Sequence, residues 1–489
     1  MEQRGTDPVA PPARAELDGR TTDPEILRRT AEVAIEFLQA LPERPVGPPI
    51  EPDPLRAVLG GDLPERGEDP WHTVSRLARD VDPGLVATAG PRYFGFVIGG
   101  SLPVTVATEW LAAAWDQNAG NYPASPAGSV VEEVAASWLR ALFGIPATAS
   151  FGFVTGATMA NFTGLAAARH AVLAAVGHDV EARGLFDAPP VNVIVGDEAH
   201  TTIFVALRML GLGSDRVTRI AVDGQGRMRA DELRRALEQG TGPTIVCAQA
   251  GNVNTGAFDP LSEIASVTNE RGAWLHVDGA FGLWAAASPN LRHHLDGAGA
   301  AQSWATDAHK WLNVPYDCGL VFVVDPEAHR AAMTVTAAYL VRGAEGVYQA
   351  YDHVPESSRR ARGLSVYTAL RSLGRQGLAE LIERCCALAR RMAERLAAAP
   401  GVAILNEVEL NQVLVRFAAP GDDDGAADRR TSQVIEAVQR DATCWAGGTT
   451  WHGRGAMRIS VSNWSTTEAD IDRSAEAILR CAADSGAPV

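Results

Sequence analysis

The sequence predicts an α/β fold built on a mostly parallel sheet, and three features carry that expectation. Short apolar runs recur at Phe151–Val154, Val191–Val195, Thr244–Ala248, Trp274–Val277 and Leu320–Val324. They are continuous rather than alternating, which marks strands buried on both faces, as parallel sheets require. Helical stretches separate them, and each run ends in small or polar residues, where such sheets gather their ligands. A chain of 489 residues with 46% hydrophobic content can bury a large core and divides into two or three lobes.

Taken in order, residues 1 to about 22 are polar and read as disordered. An amphipathic helix follows from Pro24 to Leu41, opening at the N-cap and first-turn pair Asp23-Pro24. The prolines of Pro42–Pro54 forbid helix, and Pro70–Asp80 resumes it. Residues 1–88 therefore form an N-terminal tail and helical arm, and residues 89–375 form a large domain containing the five strands. A long helical zone, Ser365–Ala399, leads into a small C-terminal α/β lobe, 376–489, with strands at Asn411–Phe417 and Ala456–Ser462. The acidic run Gly421–Gly425 reads as a solvated loop, and no internal repeat is present.

Charge narrows the function. A net charge of −16 leaves no broad basic surface for a phosphate backbone, so nucleic-acid binding is not the main role. Met1–Arg20 resembles neither a signal nor a transit peptide, and no apolar stretch reaches membrane-spanning length, so a cytoplasmic location without membrane attachment is expected. The six cysteines show no metal-ligand spacing, so free thiols and no structural metal are expected.

Chemistry concentrates around Lys310, the only lysine: of 43 basic residues every other one is arginine. Guanidinium stays protonated and forms no Schiff base, whereas a desolvated lysine amine condenses with an aldehyde. Three further segments fall at strand ends. Thr155-Gly156-Ala157-Thr158 is a small-residue turn into a helix, where backbone N–H groups and the Thr158 hydroxyl suit a phosphate. His200 follows the second strand and can stack on a planar ring or take part in proton transfer. Asp278 ends the fourth, and a buried carboxylate there needs a cation: a protonated pyridine nitrogen or an arginine. Gly279 and Ala280 are small enough to let a ring lie against the backbone, which favours the pyridine and hence a pyridoxal phosphate pocket.

With Asp307-Ala308-His309-Lys310 and His276-Val277-Asp278 in place, the sequence resembles the group II pyridoxal-phosphate-dependent amino-acid decarboxylases over roughly residues 85 to 480. The resemblance implies a fold-type I enzyme, pyridoxal 5'-phosphate as cofactor, an amino acid as small-molecule substrate, and a homodimer with shared active sites. It implies that Lys310 is the Schiff-base lysine, that Asp278 pairs with the ring nitrogen and that His200 stacks over the ring. Gly156, Ala157, Thr158, Asp307 and His309 match positions around the phosphate, and Ala280 matches the residue on the other ring face. Tyr339 matches a loop tyrosine that protonates the substrate carbon, with Tyr348 and Tyr351 close enough in sequence to be confused with it. Phe94, with Tyr93 and Phe96, falls in a pocket-forming segment, and Arg458 matches an arginine that meets the substrate carboxylate. Two segments depart from the family pattern: Gly251–Gly256 lacks a hydroxyl near the substrate, and the phosphate turn reads Thr-Gly-Ala-Thr. Transamination and aldol cleavage use the same lysine and aspartate and stand as alternatives, as does a non-catalytic binding protein of the same fold.

Overall fold

The computed structural model describes residues 24–47, 50–334 and 347–486. Chain contacts divide it into two compact units, 1–87 and 88–489. The first holds helices Pro24–Ala40, Pro52–Leu59 and Pro70–Val81. The second of these begins inside the stretch expected to exclude helix. Pro52 stands in its first turn, where a missing N–H breaks no bond, so proline is tolerated there. The expected disorder of residues 1–22 lies outside the described residues.

The second unit is built on a seven-stranded sheet: β1 Ser150–Val154, β2 Asn192–Gly196, β3 Thr218–Ile220, β4 Thr244–Gln249, β5 Trp274–Asp278, β6 Ser303–Asp307 and β7 Gly319–Val323. The order is β1-β7-β6-β5-β4-β2-β3, and only β7 runs against the rest. The five expected strands are present within a residue or two. β3 and β6 were not anticipated, because β3 is short and largely exposed and β6, Ser-Trp-Ala-Thr-Asp, carries too many polar residues to read as an apolar run.

Both faces of the sheet are covered. Leu275, Val277, Trp304, Leu320 and Phe322 enter the larger core, while Ile245, Cys247, Ala305, Val321 and Val323 pack on the other side with Ala160 and Ala167 of the helix Ala157–Ala174. A four-stranded antiparallel sheet follows in the order β10-β11-β9-β8, from β8 Val402–Ile404, β9 Gln412–Phe417, β10 Gly447–Trp451 and β11 Arg454–Ser460. The connecting helix, Gly363–Ala397, is broken at Gly374, whose φ of 63° and ψ of −175° leave the helical region.

Candidate active site

The carboxyl ends of β1, β5 and β6 converge, and the turns leaving them carry the candidate residues. β1 ends at Val154 and the chain enters the helix Ala157–Ala174 through Gly156; a Cβ on Gly319 of β7 would stand 2.5 Å from the Gly156 backbone, so the two segments approach this closely only because residue 319 is glycine. A cavity of about 280 Å³ opens there. Gly156, Ala157 and Thr158 form one wall, with His200, Ala280, Asp307, His309 and Lys310 around the rest. A wider groove of about 830 Å³ runs past Gly144, Asn290 and Glu383, but none of the candidate residues lines it.

Asp307 ties the cavity together. Its Oδ1 accepts the Ala157 N–H at 2.6 Å, and its Oδ2 lies 3.1 Å from Lys310 Nζ. The helix start thus already has one anion, leaving the Thr158 and Met159 N–H groups, which have no intrahelical acceptor, and the Thr158 hydroxyl for a phosphate. His309 Nδ1 accepts the Cys318 N–H at 3.1 Å, so the neutral ring carries its proton on Nε2, 3.6 Å from Asp307; burial holds its pKa below the usual value.

Asp278 lies behind the cavity, 4% exposed, bordering a smaller void shared with His200. Its Oδ1 accepts the Ala280 N–H at 3.1 Å and its Oδ2 accepts Asn161 Nδ2–H at 3.1 Å. No arginine or lysine lies within ion-pair distance of it among the described residues, so the arginine partner left open by the sequence is not there. A buried carboxylate held only by neutral donors suits a pyridinium supplied by a ligand. With a primary amine and a small-residue cradle at Ala280 beside it, the donor set fits pyridoxal phosphate.

His200 caps the helix Thr201–Met209, and its pKa is lowered, first by burial and then by Lys310 and Arg458, against the opposing pull of Asp278 and Asp307. Arg458, on β11, is therefore close to the site. Among the described residues it has no carboxylate within ion-pair distance, and burial lowers its pKa.

A profile of the pyridoxal-dependent decarboxylase conserved domain matches residues 52–418. The chain belongs to the pyridoxal-dependent decarboxylase family. It is 26% identical over 447 residues to 4-hydroxyphenylacetaldehyde synthase of Rhodiola rosea, covering 89% of this chain and 90% of that one. It is 30% identical over 440 residues to cysteine sulfinic acid decarboxylase of Rattus norvegicus, covering 86% and 88%. Among solved structures, Oryza sativa TDC with PLP and tryptamine matches with a TM-score of 0.88 at 25% identity, over 97% of this chain and 99% of that one. This decarboxylase accordingly has the fold-type I architecture, uses pyridoxal 5'-phosphate and removes CO₂ from an amino acid.

One sequence expectation needs revision in this decarboxylase. Phe94 is 1% exposed and packed in the larger core, so it does not offer its ring to a substrate; Phe96, two residues on, is 60% exposed and lies 5.3 Å from the Trp445 ring. Tyr348 and Tyr351 are buried, with Tyr348 stacked on Phe151 at 4.4 Å. Tyr339 lies outside the described residues. Sequence reasoning passed over Asn161, Thr202, His276 and Tyr316. A signal existed for two of them: His276 stands two residues before Asp278, on the same face of one strand, and Asn161 stands one helical turn after Ala157.

Proposed function

We propose that Lys310 anchors the cofactor covalently, that Asp278 charges its ring nitrogen, and that the enzyme converts an L-amino acid to the corresponding amine. The observation that carries this reading is Asp278, a buried carboxylate with two neutral donors and, among the described residues, no cation of its own. Gly156, Ala157, Thr158 and His309 would hold the phosphate end, and Ala280 and His200 would bound the ring. Bound pyridoxal phosphate supplies the electron sink for the carbon that loses CO₂. Arg458, close to His200 and without a carboxylate partner among the described residues, is suited to the substrate carboxylate. Asp307 aligns the Lys310 amine through its 3.1 Å contact. Tyr339 is proposed as the acid that returns a proton to the substrate carbon, on the strength of its place in the sequence.

A homodimer is supported by the helix Pro103–Trp115, which leaves Trp110, Leu111 and Trp115 about half exposed on its surface. Among the described residues no helix is long and apolar enough to cross a membrane. The division at 375/376 into large and small domains is likewise a proposal, supported by the helix break at Gly374.

Borohydride reduction of the loaded enzyme followed by peptide mapping tests the anchor: label at Lys310 is expected, and label confined to the N-terminal amine would defeat it. Because one relative is named an aldehyde synthase, oxygen uptake should be followed beside CO₂ release. Amine without oxygen uptake supports the proposed reaction; stoichiometric oxygen uptake with aldehyde would replace it.

A further inference from the structure

Behind Asp278 a line of hydrogen bonds runs unbroken through two strands and two helices. Trp274 Nε1 lies 2.9 Å from Ser303 Oγ, and Ser303 Oγ lies 2.8 Å from His276 Nδ1. His276 Nε2 lies 2.9 Å from Asn161 Oδ1. Asn161 Nδ2 then serves two acceptors, Asp278 Oδ2 at 3.1 Å and Thr202 Oγ1 at 3.2 Å, and Thr202 Oγ1 lies 2.8 Å from His200 Nδ1. Asn161, His276 and Ser303 have no exposed surface. The fit is close: a Cβ on Gly164 would stand 2.9 Å from His276 Cε1.

The protons along this line can be ordered in only one way. An indole N–H only donates and a carboxylate only accepts. Asp278 therefore takes an Asn161 N–H, which turns Asn161 Oδ1 toward His276 Nε2; with the neutral ring's proton on that side, Ser303, accepting from Trp274, gives its own proton to His276 Nδ1. Burial keeps His276 neutral, its pKa pushed down to about 3, so its remaining proton sits on Nε2 and goes to Asn161 Oδ1. The amide is thereby turned so that both its N–H bonds face Asp278 and Thr202. Thr202 Oγ1, already accepting, donates to His200 Nδ1, which also faces the Thr202 N–H at 3.3 Å.

We propose that Asn161 is a positioning residue whose single amide orients Asp278 and, through Thr202, holds His200 as the Nε2–H tautomer. His200 lines the cavity, so it offers the substrate a hydrogen-bond donor, and its one basic nitrogen is occupied on the protein side. It therefore acts as a donor and not as a base. This rests on the reading that Asp278 and His200 serve the cofactor site, but its test does not depend on turnover.

The full chain labelled with ¹⁵N-histidine, with and without pyridoxal 5'-phosphate, reports ring protonation by NMR, with His200→Gln and His276→Gln to assign the signals. Both rings are expected as single Nε2–H tautomers at neutral pH. Thr202→Val removes the hydroxyl that opposes protonation of His200 Nδ1 and keeps the side-chain shape. With Asp278, Asp307, Lys310 and Arg458 still facing the ring, the His200 titration should move up by about one pH unit, roughly tenfold in proton affinity. The His276 signal should not move. Asn161→Leu should raise the His200 midpoint similarly, because it frees the Thr202 hydroxyl to rotate; if that variant does not fold, Thr202→Val decides alone. Nδ1–H His200 in the unaltered chain, or an unchanged midpoint in Thr202→Val, would overturn the proposal while leaving decarboxylation untouched. Failure to release CO₂ from any amino acid would remove the catalytic reading and leave the tautomers as measured.

Discussion

Two buried acids in the second unit, Glu132 and Asp278, are 1% and 4% exposed, yet their surroundings differ in kind. Glu132 is closed within the chain. Arg359 donates to it at 3.0 Å and gives two further N–H bonds to the carbonyls of Ala119 and Phe153, at 2.8 and 2.7 Å. Asp278 has the N–H groups of Ala280 and Asn161 and, among the described residues, no cation. A charge balanced inside the fold holds helices and strands together. A charge left unbalanced at a cavity is a binding preference.

The strongest test of this contrast is to neutralise each acid. Asp278→Asn keeps the shape and removes the charge, so CO₂ release should fall by about 10²–10³-fold, the scale of losing one preorganised electrostatic partner, with little change in the melting temperature. A large loss of stability instead would make Asp278 a structural residue like Glu132.

Glu132→Gln should do the opposite, because it leaves Arg359 buried and unpaired. Urea unfolding should show a loss of about 3–5 kcal/mol, and Glu132→Leu with Arg359→Met should recover most of it. Turnover per folded molecule should stay near that of the unaltered enzyme.

Each region also holds a buried neutral histidine, which gives a pH test. His276 belongs to the Asp278 network; His329 bonds Ser150 Oγ of β1, the strand whose Phe153 carbonyl Arg359 uses, and the His353 carbonyl, both at 2.8 Å. Both have pKa values lowered by burial from 6.5 to about 3. Between those limits the unfolded chain binds protons that the folded chain refuses, so stability is full above pH 6.5 and declines as the pH falls. The expected decline is about 1.4 kcal/mol per pH unit for each histidine. His329→Gln should flatten the pH dependence of unfolding by about one histidine's share; an unchanged slope would mean that His329 already binds a proton in the fold.

The smallest effects separate two neighbouring aromatics. Phe94→Leu should cost about 1 kcal/mol of stability as a core change without altering KM. Phe96→Leu should stay within about 0.5 kcal/mol, and a raised KM would place its exposed ring in the substrate's path.

The sequence by itself determined the parallel α/β frame, because strands buried on both faces leave continuous apolar runs, and it pointed to Lys310, the one amine among arginines. It also singled out Asp278 and His200, since small and polar residues directly after apolar runs mark the ligand-binding edge of such a sheet. It did not reveal β6, whose Ser303, Thr306 and Asp307 face polar partners and so break the apolar pattern. It placed Phe94 and Phe96 together, although one ring points into the core and the other toward solvent. Only the tertiary structure decided that Asp278 has no cation among the described residues, that Arg359 belongs to Glu132, and that Asn161, more than a hundred residues away in the chain, holds Asp278. Hydrogen bonds between distant segments leave no periodic trace in composition, because they depend on which atoms meet when the helix Ala157–Ala174 packs against β5 and β6.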